Sequence, residues 1–173
     1  MTDSHDSDHR ILISQAENIL DWLPEEPAIA DTLRFTLNRC FDGAAEISVY
    51  ICSSAEIQQL NAQYRYKNKP TNVLSFPAST DPTTAQLLVD HGQQAVFLGD
   101  IILCPEVVNT EAEQQNKLAL DHWQHMLMHG TLHLMGYDHI EDQETEIMEN
   151  LEIQLLSELN INNPYDILGD NAS

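Results

Sequence analysis

Residues 129–139, HGTLHLMGYDH, constrain this chain more than any other stretch. An α-helix brings positions i and i+4 onto one face, about 6 Å apart along its axis, so His129 and His133 can reach one metal ion. Gly136 suits the left-handed conformation that ends a helix and turns the chain back. His139 then approaches the same ion from outside the helix. Three neutral imidazoles with no fourth protein ligand describe an open zinc site, whose last position takes water or substrate. An ion held in this way keeps its full positive charge, acidifies water and polarises a phosphoryl or carbonyl oxygen. The expectation is one Zn²⁺ on His129, His133 and His139.

The histidines continue upstream, and five of the eight lie between His122 and His139. Taking His129 as zero at about 100° per residue, His125 falls near −40°, His122 near +20° and His133 near +40°. Leu120, Trp123, Leu127 and Leu134 fall at roughly 120–180° on the same count. One helix therefore carries an apolar face for a core and a separate imidazole stripe. His125 lies four residues before His129 and competes as a ligand. Yet His125, His129 and His133 along one straight helix span about 12 Å, too far for a single ion. His122 and His125 are read as packing residues or as groups that orient ligands or substrate. The same histidine spacing with an intervening glycine occurs in metzincin-type zinc proteases, where Glu follows the first His. Here Gly130 stands at that place, so the general base for peptide hydrolysis is missing.

Charge limits what such a centre acts on. Seven Lys plus Arg against 28 Asp plus Glu give a net charge of −21. That disfavours charge-driven binding to bulk DNA or RNA and leaves room for nucleic acid held at one basic spot. With 42% apolar residues the chain can bury a core. Cys40, Cys52 and Cys104 form no CxxC pair, the start MTDSHDSDHR has no signal-peptide pattern, and no stretch approaches about 18 apolar residues. A cytoplasmic protein without a membrane segment is expected.

Strand patterns occur at Ile11–Ile13, Glu46–Cys52, Thr71–Phe76 and Val96–Cys104. Helical spacing runs through Ile29, Leu33, Leu37 and Phe41, and again after Ser53, whose partner Glu56 completes a capping-box pattern. Further helices are expected from about Pro105, from about Leu118 to Met135 and from about Asp142 to Leu159. This order predicts an α+β fold, a mixed sheet of about four strands with helices over one face and a central histidine-bearing helix. Residues 1–9 read as a frayed tip, 10–160 as a single domain and 161–173 as a tail; 78–95 reads as a long loop or irregular hairpin. On the last helix, Glu144, Glu146, Glu149 and Glu152 are placed on the outer face.

Three of the seven cations crowd into Arg65-Tyr66-Lys67-Asn68-Lys69, next to Tyr64. Cations at a helix end complement its dipole. Arginine also grips phosphate through two parallel hydrogen bonds. Beside a zinc site, phosphodiester chemistry explains the cluster better, with Arg65 neutralising charge on phosphorus and Lys67 and Lys69 as candidate nucleic-acid contacts.

HGTLHLMGYDH (129–139), NAQYRYKNKPTNVLSFP (61–77) and LGDIILCPE (98–106) resemble the YbeY-type endoribonucleases, also called rRNA maturation factors. The resemblance covers most of the chain from about Ile11 to Leu159. It implies a metal-dependent endoribonuclease that acts on single-stranded RNA in the bacterial cytoplasm. It further implies roles in 3′-end maturation of small-subunit (16S) rRNA and in ribosome quality control, with small-subunit ribosomal proteins and a ribosome-associated GTPase as partners. The family's zinc ligands fall on His129, His133 and His139, and its functionally important arginine on Arg65. Many members carry Asp where this chain has Asn72, which puts an acid–base role at that position in doubt. Two other readings stand beside the nuclease: a non-catalytic ribosome assembly factor with a structural zinc, and a zinc hydrolase of another class.

Overall fold

The computed structural model describes residues 9–78, 95–138 and 140–166. Residues 79–94 of the expected loop or hairpin, and His139, lie outside the described residues. In chain order the described elements are β1 (Arg10–Gln15), α1 (Glu26–Cys40), β2 (Ala45–Ile51), α2 (Ser54–Arg65), β3 (Val73–Pro77), β4 (Val96–Leu103), α3 (Pro105–Gln114), α4 (Ala119–Leu134) and α5 (Asp142–Glu158). The sheet order is β1-β2-β4-β3, with β1, β2 and β4 parallel and β3 antiparallel to β4. The fold is α+β, a mixed four-stranded sheet packed against helices.

Local chemistry sets the element boundaries. Pro27 stands in the first turn of α1, where a missing N–H costs no helical bond. The Ser53 side chain accepts the Glu56 N–H at 3.2 Å and so caps α2. In β2 the buried residues Ala45, Ile47, Val49 and Ile51 alternate with half-buried ones, the period-two pattern of a pleated strand.

The main core lies between one face of the sheet and helices α1, α3 and α4. It joins Ile29, Leu33 and Leu37 to Ile47, Ile101 and Leu103, with Trp123 and Leu127 from the histidine helix. Helices were expected over one face only, but α2 covers part of the other. There Ile57 and Leu60 meet Leu74, Phe76 and Ile102, because successive residues of β4 point to opposite sides. A third cluster clamps α5 onto α4 through Met148, Leu155 and Leu156 against Met128 and Leu132; Ile161, beyond α5, joins it. His9 is buried: its Nδ1 accepts the Ala45 N–H at 3.1 Å, which leaves Nε2–H to donate to Asn38 Oδ1 at 2.9 Å.

Gly99 fixes the edge of the sheet beneath the histidine helix. Its φ is +142°, and a Cβ there would lie 2.3 Å from the Phe76 carbonyl oxygen and 2.8 Å from Leu134 Cδ2. Gly99→Ala is therefore expected to cost about 3 kcal/mol or more of folding stability, read from the urea midpoint. An unchanged midpoint would contradict the close approach of β3, β4 and α4.

Candidate metal centre

Helix α4 packs against α1, α3 and β3. Its apolar stripe is buried as expected at Trp123, Leu127 and Leu134, whereas Leu120, in the first turn beside exposed Leu118, stays 40% exposed. Gly130 faces the sheet. A Cβ there would meet Ile101 Cγ2 at 3.0 Å and Ser75 Oγ at 3.1 Å, and the Ser75 hydroxyl donates to the Gly130 carbonyl at 3.1 Å. The place where a metzincin-type protease carries its glutamate is thus taken up by helix–sheet contact.

The two helical histidines of the motif converge. His129 Nδ1 lies 2.6 Å from Glu152 Oε2, and His133 Nδ1 lies 2.9 Å from the Tyr137 carbonyl oxygen. A carbonyl and a carboxylate oxygen only accept, so each Nδ1 carries a proton and each ring turns its Nε2 toward the other. Those two Nε2 atoms are 3.1 Å apart. Two acceptors at that distance repel unless a cation, a proton or a metal ion, stands with them. Gly136 makes this possible: its φ of +100° turns the chain so that the Tyr137 carbonyl comes back over the His133 ring.

Glu152 corrects the reading of the last helix. It was placed on the outer face, but its exposure is 0%. Its carboxylate accepts from His129 Nδ1, from His125 Nε2 at 3.1 Å and from the Tyr165 hydroxyl. Burial alone would raise its pKa; the hydrogen bonds and charges of His125 and His129 overcome that and bring it to about 2. Burial pushes the His125 pKa down, against the pull of Glu152, and so favours the neutral ring. Tyr165 packs edge-on against His125, with ring centroids 5.5 Å apart, and both burial and the neighbouring Glu152 raise its pKa.

His125, His129 and Glu152 could also hold a metal ion themselves, since one ligand atom from each lies within 4.8 Å of the others. Their hydrogen-bonded separations of 2.6 and 3.1 Å already satisfy the carboxylate. A metal ion there would have to replace the proton on His129 Nδ1, whereas a metal ion on the Nε2 side, toward His133, leaves the bond to Glu152 in place.

His122 belongs to a second polar group. Its Nε2 lies 2.9 Å from Glu111 Oε1, and the Asn72 amide donates to the same carboxylate at 3.0 Å. Burial would raise the Glu111 pKa, but these two partners lower it on balance.

A cleft of about 780 Å³ is shared by His129, His133, Arg65, Lys67 and Lys69. The exposed Arg65 guanidinium lies over the Phe76 ring at 5.1 Å and donates to the Ser75 carbonyl at 2.7 Å, which fixes one edge and leaves other N–H groups for a ligand. The structure thus brings five of the six expected site residues to one cavity, and the sixth, His139, lies outside the described residues.

If Glu152 and Tyr165 set the His129 ring, Glu152→Gln and Tyr165→Phe should each weaken zinc binding by about 10- to 100-fold, measured by competition with a chromogenic chelator. Zinc affinity unchanged in both variants would show that His129 is oriented without them.

The family model for Endoribonuclease YbeY matches residues 8–160. A YbeY endoribonuclease of Francisella tularensis subsp. tularensis (strain FSC 198) is 46% identical over 143 residues, covering 83% of this chain and 82% of that one. One from Francisella philomiragia is 53% identical over 121 residues, covering 70% and 73%. The solution structure of TM1509 from Thermotoga maritima shares the fold with a TM-score of 0.50 at 24% identity, over 88% of this chain and 91% of that one. The chain belongs to the YbeY endoribonuclease family.

Proposed function

We propose that this protein is a zinc-dependent endoribonuclease that cuts single-stranded RNA in the cytoplasm. Its role would be 3′-end maturation of small-subunit (16S) rRNA and ribosome quality control. The observation that carries the reading is the pair of Nε2 atoms 3.1 Å apart in the same cleft as Arg65, Lys67 and Lys69. His129 and His133 would hold one zinc ion through those atoms, with His139 as the third ligand. Tyr137 holds the chain against His133, and His139 follows two residues later. When bound, such an ion supplies Lewis-acid polarisation of a phosphoryl oxygen and lowers the pKa of water.

The chain's own residues supply the rest. Arg65, anchored to the Ser75 carbonyl, presents fixed positive charge to the phosphate and neutralises the charge that grows on it. Lys67 and Lys69 offset the neighbouring phosphates. Glu152 and Tyr137 keep the Nδ1 protons of the two histidines in place, so that both Nε2 atoms stay basic. The burial of Gly130 against β3 and β4 argues against a peptidase of the metzincin type. Among the described residues no helix is long and apolar enough to cross a membrane. The acidic surface repels bulk RNA, so delivery by basic ribosomal proteins of the small subunit, with a ribosome-associated GTPase, fits this reading.

Arg65→Ala should lower kcat/KM on a single-stranded rRNA fragment by about 100-fold with the melting temperature unchanged. Chelation should abolish cutting and added zinc restore it, while His133→Ala loses both zinc and activity and keeps its circular dichroism. Cleavage by the metal-free protein at the parent rate would end the zinc reading. Well-folded, zinc-loaded protein that cuts no RNA would favour the assembly-factor role.

A further inference from the structure

The loop after α2 holds an aromatic ring where the backbone prefers none. Among the described residues four non-glycine residues have positive φ: Asn18, Asn116, Asn160 and Tyr66. Asparagine tolerates the left-handed region; tyrosine, here at φ 62° and ψ 31°, does not. The backbone at this point closes α2, because the N–H groups of Tyr66 and Lys67 turn back onto the Asn61 carbonyl. That closure needs the conformation and not the side chain.

The rest of the loop is held firmly. Buried Asn61 donates to the Lys69 carbonyl at 2.9 Å, and Gln58 donates to Asn68 Oδ1 at 3.1 Å. On this fixed base Tyr66 is 90% exposed, so it adds almost nothing to the core. In sequence it stands between Arg65 and Lys67, which line the cleft together with Lys69; Tyr66 itself is outside that lining. None of these three cations makes an ion pair among the described residues. In a chain of net charge −21 they mark where an anionic strand is attracted.

We propose that Tyr66 is a stacking platform for one nucleobase of single-stranded RNA, with Lys67 and Lys69 holding the adjacent phosphates. The proposal rests on the RNA-cleaving reading above and adds a base-contacting residue to it. Every base has a π-face, so the contact tolerates sequence. A base paired within a duplex has both faces covered by its neighbours, so the platform favours single strands.

The test is fluorescence anisotropy of a short labelled oligoadenylate, with melting curves, on Tyr66→Gly, Tyr66→Ala and Tyr66→Phe. Tyr66→Gly should bind about 5- to 100-fold more weakly and melt at a higher temperature, because glycine relieves the left-handed backbone. Tyr66→Ala should bind as weakly without that rise, and Tyr66→Phe should bind like the parent. In cleavage assays the loss should fall on KM and not on kcat. Binding by Tyr66→Gly at the parent affinity, or equal loss in Tyr66→Phe, would overturn the platform while RNA cleavage by the parent stands. A parent that neither binds nor cuts RNA would overturn the RNA-cleaving reading and the platform together.

Discussion

The site depends on one buried negative charge. Glu152 has no exposed surface, and an ionised carboxylate in that position is tolerable only when donors surround it. His125 and His129 come from α4, and Tyr165 comes from the segment after α5. Met148, Leu155 and Leu156 on either side keep water away and press α5 against α4. Three parts of the chain therefore meet at a single carboxylate. The outcome on the opposite side of the His129 ring is a basic Nε2 aimed at its counterpart on His133. A geometry that looks local to an eleven-residue motif is set by an oxygen contributed 23 residues later in the chain.

How much of this could be read from the sequence follows the range of the interactions. His129, His133 and Gly136 act within two turns of one helix, and helical periodicity alone places them on one side with a turn after them. Ser53 caps α2 through a partner three residues away. The sheet's mixed architecture followed from the order of strand and helix patterns. Glu152 was missed because a glutamate among glutamates is assigned to solvent by default. A signal was present: residue 152 lies four after Met148, three before Leu155 and four before Leu156, on the buried stripe of α5. A carboxylate in the middle of an apolar stripe calls for buried donors, and unassigned His125 was available. Tyr165 offered no such periodicity, since its partner is fixed only by tertiary packing. Leu120 went the other way: its angle on α4 was right, but angle says nothing about how far along the helix the covering layer extends.

Charge distribution explains how so acidic a protein can meet RNA at all. Arg10 and Arg39 face Glu46 and Glu158 at 3.8 and 2.7 Å. Arg65, Lys67 and Lys69 are kept together on the cleft wall. Three of the chain's seven cations thus line the cavity that also contains the paired imidazoles, while the chain as a whole carries a net charge of −21. Repulsion of phosphate by that net charge acts as selection, because a strand gains contact only where it can enter the cleft.

Asn72 shows why position alone does not make an acid or a base. The resemblance implies Asp there for many members, which would invite a catalytic assignment. In this protein the amide donates to Glu111, whose other partner is His122, and its own oxygen accepts the Val73 N–H at 2.6 Å. An aspartate would set a second carboxylate about 3 Å from the first, where two negative charges cannot both persist unless a cation or proton joins them. The amide instead ties the start of β3 to α3 and, through His122, to α4. β3 is the strand whose Ser75 receives Arg65 on its carbonyl and holds Gly130 by its hydroxyl. Asn72 is therefore a strut between the arginine wall and the histidine helix, and its chemistry lies in keeping those two walls in register.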